Sequence, residues 1–323
     1  MGSRGGVRRG VGSRPGGLSA AGSGVTGGRA GSYRSDPTLG DRVFDLLDVV
    51  FPGVRAGRAN GAAFGAPWES VSTPFIVEDS GRILAHVGLM PIPLHSLGRT
   101  VRCAGVHGVA TDPEYRRRGH FRHLMENLLT VGASRFDTLI LTTAHREYFE
   151  PFGFRVVGES IFRFRSPFEG REPSRVLDLS RREDLSLMHR LLNDRIPVSD
   201  VLGVGPETGC WAFYEYQSPI RFLPDADVAV IAELTGPTLR LYDLIGRSVP
   251  SIARIVAAFP GPVAEVIAYF APDRLGGVFV PEPHDQSGGP DALEPGTPGL
   301  VFMVRGPLPA EGRLLMLPRP GRC

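Results

Sequence analysis

A short strand, a basic turn and an immediately following helix are predicted at residues 106–131, VHGVATDPEYRRRGHFRHLMENLLTV. Pro113 ends the strand, because proline removes a donor from the sheet ladder. The turn that connects strand and helix contains Gly119. The helix is predicted from apolar side chains at the spacing of one buried helical face: Phe121, Leu124, Met125, Leu128 and Leu129.

The start of this helix is predicted to bind an anion. The first N–H groups of a helix have no partner within the helix and the positive end of the helix dipole lies there, so an anion at Gly119 to Arg122 satisfies both. Arg116, Arg117 and Arg118 add positive charge, and a glycine at 119 leaves room for a phosphate. On these residues alone, a solvated basic run or a nucleic-acid patch is an open alternative.

This turn resembles the acyl-coenzyme A motif of the GNAT N-acetyltransferase superfamily, R/Q-x-x-G-x-G/A, matched here by Arg116-x-x-Gly119-x-Phe121. Phe121 replaces the small final residue, a departure similar to the enhanced-intracellular-survival branch of that superfamily. The resemblance implies that the turn and the first helical residues hold the pyrophosphate of the cofactor. These residues are Arg116, Arg117, Arg118, Gly119, His120, Phe121 and Arg122.

Other segments extend the resemblance over residues 36–165. The segment DTLILTTAHREYFEPFGFRVVGE resembles the fifth strand, short helix and Y-x-x-F-G-F signature of the family, with matches at Phe152, Gly153 and Phe154. Upstream, DRVFDLLDVVFPGV resembles the first helix, and FIVEDSGRILAHVGLMPIPL a strand pair with a glycine turn. Two motifs in the expected order are more specific than either alone.

A chain of 323 residues is long enough for two domains. The resemblance implies an α/β chain, more closely an α+β GNAT fold, with a mixed central sheet flanked by helices and a second, smaller GNAT-like α/β domain. The second half repeats a strand, strand, helix, strand order without the basic turn, and residues 281–299 are predicted to form a mobile loop. The predicted boundaries are a disordered Arg/Gly/Ser-rich tail at 1–35, a GNAT domain at 36–166, a degenerate GNAT-like domain at 174–310 and a C-terminal tail at 311–323.

The activity implied by the resemblance is direct transfer of an acetyl group from acetyl-coenzyme A, as co-substrate, to an amine of a small molecule. No side-chain nucleophile is needed. Backbone groups of Val109, Ala110 and Thr111 are implied to hold the pantetheine and to polarise the thioester carbonyl. A non-catalytic acyl-coenzyme A sensor or scaffold is the alternative, and a protein lysine acceptor is also open.

His107 is the predicted base for the amine proton. Alternation along a strand places it on the same face as Gly105 and Val109, beside the expected thioester. The ordinary pKa of histidine lies in the useful range for this role. The alternative is a histidine that is bonded to a neighbour or faces solvent.

Two further catalytic candidates are Tyr148 and Cys323. The tyrosine of the family signature would stand where this chain has Phe149, and one residue along a helix is a rotation of about 100 degrees. Tyr148 is therefore either the acid for the leaving sulfur or an ordinary packed aromatic. Relatives in the enhanced-intracellular-survival family use the C-terminal carboxylate, which here belongs to Cys323; the alternative is an exposed, frayed terminus.

Composition limits the possible partners. The formal charge of +2 argues against a chain that binds nucleic acid as a whole. Cys103, Cys210 and Cys323 are too widely spaced to indicate a zinc site or a disulfide framework, so we expect no metal and a reducing cytoplasm. No apolar run reaches the length of a transmembrane helix, so no membrane association is expected. An oligomer is left open.

Overall fold

The computed structural model describes residues 25–168, 171–284 and 299–322. Its strands are β1 (Val25–Ala30), β2 (Thr73–Asp79), β3 (Arg82–Ser96), β4 (Arg99–Thr111), β5 (Thr138–Thr143), β6 (Arg155–Val156), β7 (Ser160–Phe168), β8 (Arg175–Val176), β9 (Leu202–Val204), β10 (Ile220–Leu223), β11 (Val228–Thr235), β12 (Thr238–Gly246), β13 (Val263–Ala268), β14 (Val280–Pro283) and β15 (Val301–Arg305). Its helices are α1 (Leu39–Val50), α2 (Val54–Phe64), α3 (Trp68–Val71), α4 (His120–Ala133), α5 (Arg146–Phe149), α6 (Arg182–Asp194), α7 (Gly209–Glu215) and α8 (Ile252–Ala257). Short 3-10 turns lie at Pro113–Tyr115, Glu150–Phe152, Pro224–Ala226 and Arg319–Gly321.

The first sheet has eight strands in the order β1-β2-β3-β4-β5-β15-β6, with β9 paired to the end of β3. Its neighbours are antiparallel except β4 and β5, which are parallel and are connected by α4. The core under α4 contains Leu124, Leu128 and Val106. The core under α1 contains Phe44 and Ala110, so the two helices cover opposite faces of this sheet.

The second sheet has seven strands in the order β14-β7-β13-β12-β11-β10-β8. It also contains one parallel pair, β12 and β13, which α8 connects. The succession β11, β12, α8, β13 is the strand, strand, helix, strand order predicted for the second half. Two mixed sheets flanked by helices confirm the predicted α/β class.

Each sheet contains a strand from the other half of the chain. β7 lies in the second sheet between β14 and β13, although most of its residues fall within the domain predicted at 36–166. In exchange, β15 lies in the first sheet between β5 and β6. The boundaries predicted at residues 166 and 310 therefore do not separate the two sheets, since β15 pairs with β5 on one side and with β6 on the other.

Within the tail predicted at residues 1–35, residues 25–30 form β1, while residues 1–24 lie outside the described part. β1 forms the edge of the first sheet by pairing with β2. Its glycines allow α4 to approach closely, since a Cβ atom on Gly28 would lie 2.6 Å from Cδ2 of His123. Asn127 on α4 donates a hydrogen bond of 2.7 Å to the Gly28 carbonyl. Of the predicted mobile loop, residues 285–298 are likewise outside the description.

The helix predicted after the basic turn is confirmed as α4. Leu124, Met125 and Leu128 are fully buried in the core under the helix. Phe121 and Leu129 are partly buried at the margin of the same core. This stripe begins in the first turn of α4. The 3-10 turn and the basic turn lie between the end of β4 at Thr111 and the start of α4 at His120, at the edge of the sheet.

Candidate active site

β4 and β5 pair for only a short distance and then separate. The paired residues are Cys103 to Gly105 on β4 and Thr138 to Ile140 on β5. Beyond them β4 continues on β3 as far as Thr111, and β5 continues on β15 as far as Thr143. The opening between the two strands lies at their carboxyl ends, where ligands of α/β sheets commonly bind. It leaves the backbone of Val106 to Thr111 without β5 as a partner.

A bulge interrupts β4 beside this opening. His86 pairs with Ala110 and Gly88 with His107, so the single residue Val87 faces two residues of β4. Gly108, one of those two, has a φ of 55°, which is the left-handed conformation of the first residue of a glycine bulge. Gly108 was not among the predicted site residues, although a glycine inside a strand is the ordinary sign of a bulge.

The bulge changes which residues share a face. His107 contacts Trp68 on the α1 side, with ring centroids 4.6 Å apart and an interplanar angle of 87°. Val109 instead packs against the core under α4. The prediction that His107 and Val109 share a face is therefore wrong, because simple alternation fails where the strand gains a residue.

His107 is buried, with 3% of its surface exposed. Its Nε2 lies 3.0 Å from the hydroxyl oxygen of Ser72, and Nδ1 has no hydrogen-bond partner among the described residues. Burial, together with repulsion from the nearby His86, holds the pKa of His107 well below its ordinary value. The imidazole is therefore neutral near physiological pH.

His86 is buried on the same side of the sheet. The centroid of its ring lies 6.2 Å from that of His107, and its Nδ1 lies 2.7 Å from the carbonyl oxygen of Gly108. Burial lowers the pKa of His86 to about 4, although the bond to Gly108 acts in the opposite direction. This contact was not predicted, since no local pattern pairs a residue of β3 with the backbone of β4.

The basic turn follows β4 through a 3-10 turn. Arg116 Nε donates 3.3 Å to the carbonyl of Thr111. Arg118 donates 3.1 Å to the carbonyl of Glu114, and its guanidinium lies over the ring of Tyr115 at 4.6 Å from the centroid. Arg117 has a φ of 62°, a left-handed conformation that is uncommon outside glycine. All three arginine side chains are exposed.

This turn fits an anion. Within the described residues, Arg116, Arg117 and Arg118 have no carboxylate at salt-bridge distance, whereas many other arginines of the chain have one. The N–H of His123 donates to the carbonyl of Gly119, which is the first hydrogen bond of the helix. The N–H groups before it, from Gly119 to Arg122, have no partner within the helix. The pKa of His120 is lowered, first by burial and then by repulsion from Arg118 and His123. The repulsion shows that positive charge is concentrated at this turn.

Gly119 is the N-cap of α4, with a φ of 83°. The space that a Cβ atom would take is open, with no atom within 4 Å. The left-handed backbone at position 119 therefore favours glycine. A side chain there would not clash with other atoms of the protein. Together, the open space and the unpaired N–H groups leave a surface on which a phosphate can bind.

Phe121 packs against the segment after β5. Its ring lies 5.7 Å from that of Phe149 and 5.5 Å from that of Phe152, both nearly perpendicular. This contact explains why the last position of the motif holds a large residue. Tyr148, the predicted acid, is 54% exposed and stacks on His145 with ring centroids 5.1 Å apart. It lies on the surface beside Phe121, and its role as the acid stays a prediction.

The C-terminal segment is packed into the protein. Cys323 itself lies outside the described residues, but Arg322 is buried and forms an ion pair with Glu159. Cys210 Sγ lies 3.3 Å from the carbonyl oxygen of Arg322, and Leu317 is fully buried. The expectation of an exposed, frayed end is therefore wrong up to residue 322.

The second half of the chain reaches the surroundings of His107. Phe213 on α7 lies 4.7 Å from Trp68, measured between ring centroids. It also lies against α2, where a Cβ atom on Gly57 would be 2.4 Å from its ring. The aromatic succession Phe213, Trp68, His107 thus joins the two halves on the α1 side of β4.

The described residues contain no cluster of metal-ligating side chains and no helix that could span a membrane. Among them, no group of three or more His, Cys, Asp or Glu side chains could hold a metal ion. Within residues 25–168, 171–284 and 299–322, no helix has the length and apolar character to cross a bilayer.

Comparisons with known proteins agree with this geometry. Residues 37–157 match a family model described as an acetyltransferase (GNAT) domain. No curated protein sequence matches the chain. The match contains the opening, the bulge and the basic turn described above.

Solved structures similar to this chain cover both of its sheets. A probable N-acyltransferase from Enterococcus faecalis V583 is 15% identical with a TM-score of 0.54, covering 88% of this chain and 72% of that one. A GCN5-related N-acetyltransferase from Kribbella flavida is 17% identical with a TM-score of 0.53, covering 88% and 71%. Eis1 from Mycobacterium abscessus is 15% identical with a TM-score of 0.53, covering 86% and 72%. At these identities the likeness shows the fold.

Proposed function

We propose that this chain, whose residues 37–157 match a GNAT acetyltransferase domain, transfers the acetyl group of acetyl-coenzyme A directly to an amine of a small molecule. One observation carries the proposal. A bulge in β4 lies beyond the residues that pair with β5, and a basic helix start follows the end of the same strand. Such an arrangement suits a long ligand with an acyl group at one end and phosphates at the other.

The phosphates would bind the basic turn and the first turn of α4. The turn supplies the guanidinium groups of Arg116, Arg117 and Arg118, which are exposed and without carboxylate partners in the described structure. The backbone N–H groups of Gly119 to Arg122 supply donors at the positive end of the helix dipole. The pantetheine would lie along the backbone of Val109, Ala110 and Thr111.

Acetyl-coenzyme A supplies a thioester, whose thiolate leaves readily. The protein then has to hold the acceptor amine and remove its proton. We assign the proton to His107, whose neutral ring has an Nδ1 with no hydrogen-bond partner among the described residues when Nε2–H donates to Ser72. Because burial and the nearby His86 lower the pKa of His107, the ring would hold this proton only briefly.

The leaving thiolate has an ordinary thiol pKa of about 8.5, so an acid helps but is not essential. Tyr148 stays the candidate for that role, because it lies beside Phe121 at the first turn of α4. The carboxylate of Cys323 stays a second candidate base. Full activity of a protein with a short C-terminal tag would remove Cys323 from the mechanism.

The second half of the chain would form part of the acceptor site. Phe213 supports Trp68, which packs edge-on against His107. An acceptor that reaches His107 must therefore approach a wall built from both halves. This arrangement favours an acceptor with apolar groups next to its amine.

A sensor or scaffold that binds acyl-coenzyme A without turnover is the second candidate. The exposed position of Tyr148 and the low pKa of His107 favour it, because both weaken the proton transfers. The two candidates predict the same binding and differ only in turnover.

The deciding experiment is release of the coenzyme A thiol by the purified full-length protein in the presence of acetyl-coenzyme A and a panel of amines. The chain contains no lysine, so acetylation of its own lysine side chains cannot contribute to the signal. Amine-dependent thiol release supports acetyl transfer. Tight binding of acetyl-coenzyme A, with no release for any amine, would support the sensor instead.

A further inference from the structure

Among the described residues, the side chain of His86 makes one hydrogen bond, to the backbone inside the bulge. Its side chain is fully buried, and Nδ1 lies 2.7 Å from the carbonyl oxygen of Gly108. A carbonyl oxygen only accepts, so Nδ1 carries the hydrogen. Nε2 has no partner among the described residues. A buried imidazole with only one of its two nitrogens hydrogen-bonded lowers the stability of the fold. The bond to the Gly108 carbonyl is the interaction that this ring makes in return.

The bond to His86 fixes the orientation of one peptide group. In a planar trans peptide the carbonyl of Gly108 and the N–H of Val109 point in opposite directions. His86 holds that carbonyl from the α1 side, where Leu47 also lies near Gly108. The N–H of Val109 therefore points away from α1, and the Val109 side chain packs against the core under α4.

We propose that His86 is a positioning residue for acetyl transfer, which holds the peptide between Gly108 and Val109 so that the Val109 N–H donates to the thioester carbonyl in the β4–β5 opening. This inference rests on the proposed function. The orientation of the bulge in β4 then depends on the side chain of His86 on β3 as well as on β4 itself. Gly108 takes part because its φ of 55° is open to glycine with little strain.

Steady-state kinetics of the full-length protein test the proposal with three variants. His86→Leu removes the donor, and His86→Asn keeps an N–H donor at a similar distance from the backbone. His95→Leu is the matched control, because His95 lies on the same strand at its other end, opposite Thr100. For His86→Leu we expect kcat to fall about 100-fold, as when a donor to a developing oxyanion is lost, with the KM for acetyl-coenzyme A nearly unchanged.

His86→Asn is expected to recover kcat to within about tenfold of the wild type, and His95→Leu to stay close to it. A residue that only fills space would behave differently. Loss of the ring would then impair both His86 variants equally. Equal loss in the two variants, or a loss confined to KM, would overturn the positioning role.

A binding measurement separates this proposal from the proposed function. The backbone amide resonance of Val109 is followed by NMR in valine-labelled protein as a ketone analogue of acetyl-coenzyme A is added. We expect a downfield shift in the wild type and in His86→Asn, and none in His86→Leu. A shift in a protein that shows no turnover leaves His86 assigned and refutes the transferase. Turnover without a Val109 shift refutes the role of His86 and leaves the transferase standing.

Discussion

A Cβ atom on Gly88 would lie 2.1 Å from Cε1 of His107, so the imidazole occupies space that only a glycine leaves free. Gly88 and His107 are cross-strand partners on β3 and β4. The ring of His107 therefore lies over the backbone of β3 and turns its edges towards Ser72 and Trp68. The orientation of the candidate base is thus set by a residue that has no side chain.

Gly88→Ala is expected to destabilise the protein by about 1–3 kcal/mol, the usual range for overpacking a core. The cost should shrink when His107→Ala removes the ring, because the two changes act on one contact. Urea unfolding of the two single variants and the double variant measures this coupling. Strictly additive free energies of unfolding would contradict the contact.

Replacing Arg116, Arg117 and Arg118 with alanine is expected to weaken binding of coenzyme A about 10-fold to 100-fold, since exposed charges contribute modestly one by one. Binding of pantetheine, which lacks the phosphates, should be unchanged. Isothermal titration at two salt concentrations measures both ligands. Arg99→Ala is the control, because Arg99 is also exposed but begins β4 at the opposite end. Equal losses for coenzyme A and pantetheine would argue against a phosphate site.

Acidification is expected to destabilise the protein through His86. The pKa of His86 is about 4 in the folded protein, against an ordinary value of 6.5. The unfolded chain therefore binds the proton first, and stability rises with pH between these values. From pH 7 to pH 5 the loss is roughly 2 kcal/mol. His107 acts in the same direction.

Urea unfolding at pH 7 and pH 5 measures this loss. His86→Asn should lose less on acidification than the wild type, and that difference isolates His86 from Glu207, whose raised pKa acts in the opposite direction. An identical loss in the two proteins would show that His86 is protonated at its ordinary pKa.

Local features of the site could be predicted from the sequence, and long-range features could not. Helix α4 and its N-cap Gly119 follow from the spacing of apolar residues and from one glycine within a few positions. The face of His107 was predicted wrongly, because the bulge at Gly108 adds a residue to β4 and simple alternation assumes that none is added. The hydrogen bond from His86 to the Gly108 carbonyl depends on how β3 pairs with β4. No local pattern in the sequence indicates that pairing.

The exchange of β7 and β15 was missed for a related reason. The apolar pattern of a strand shows that it pairs, but it does not name the partner. β15 pairs with β5 through Val304 and Ile140, far apart in the chain. Only the structure shows that the last described strand completes the first sheet.

Phe213→Ala is expected to raise the KM for the amine acceptor several-fold and to leave the affinity for coenzyme A unchanged. The change removes the support of Trp68, which lies 4.7 Å away between ring centroids. Val176→Ala is the control, because Val176 is an apolar side chain that is 57% exposed and lies on β8 of the second sheet. Acceptor kinetics and cofactor titration test the two variants. An unchanged KM in Phe213→Ala would remove the second half from the acceptor site.

A fragment that ends at residue 166 is expected not to fold into an active domain. It contains β5 but lacks β15, so the edge of β5 from Leu139 to Thr143 loses its partner. The fragment would also expose β7, which pairs with β13 and β14 in the whole protein. Unpaired edges of this kind favour aggregation. Size-exclusion chromatography and circular dichroism of the fragment and the full-length chain provide the test. A monomeric fragment with cooperative thermal unfolding would show that β15 is dispensable and that the first sheet can close without the end of the chain.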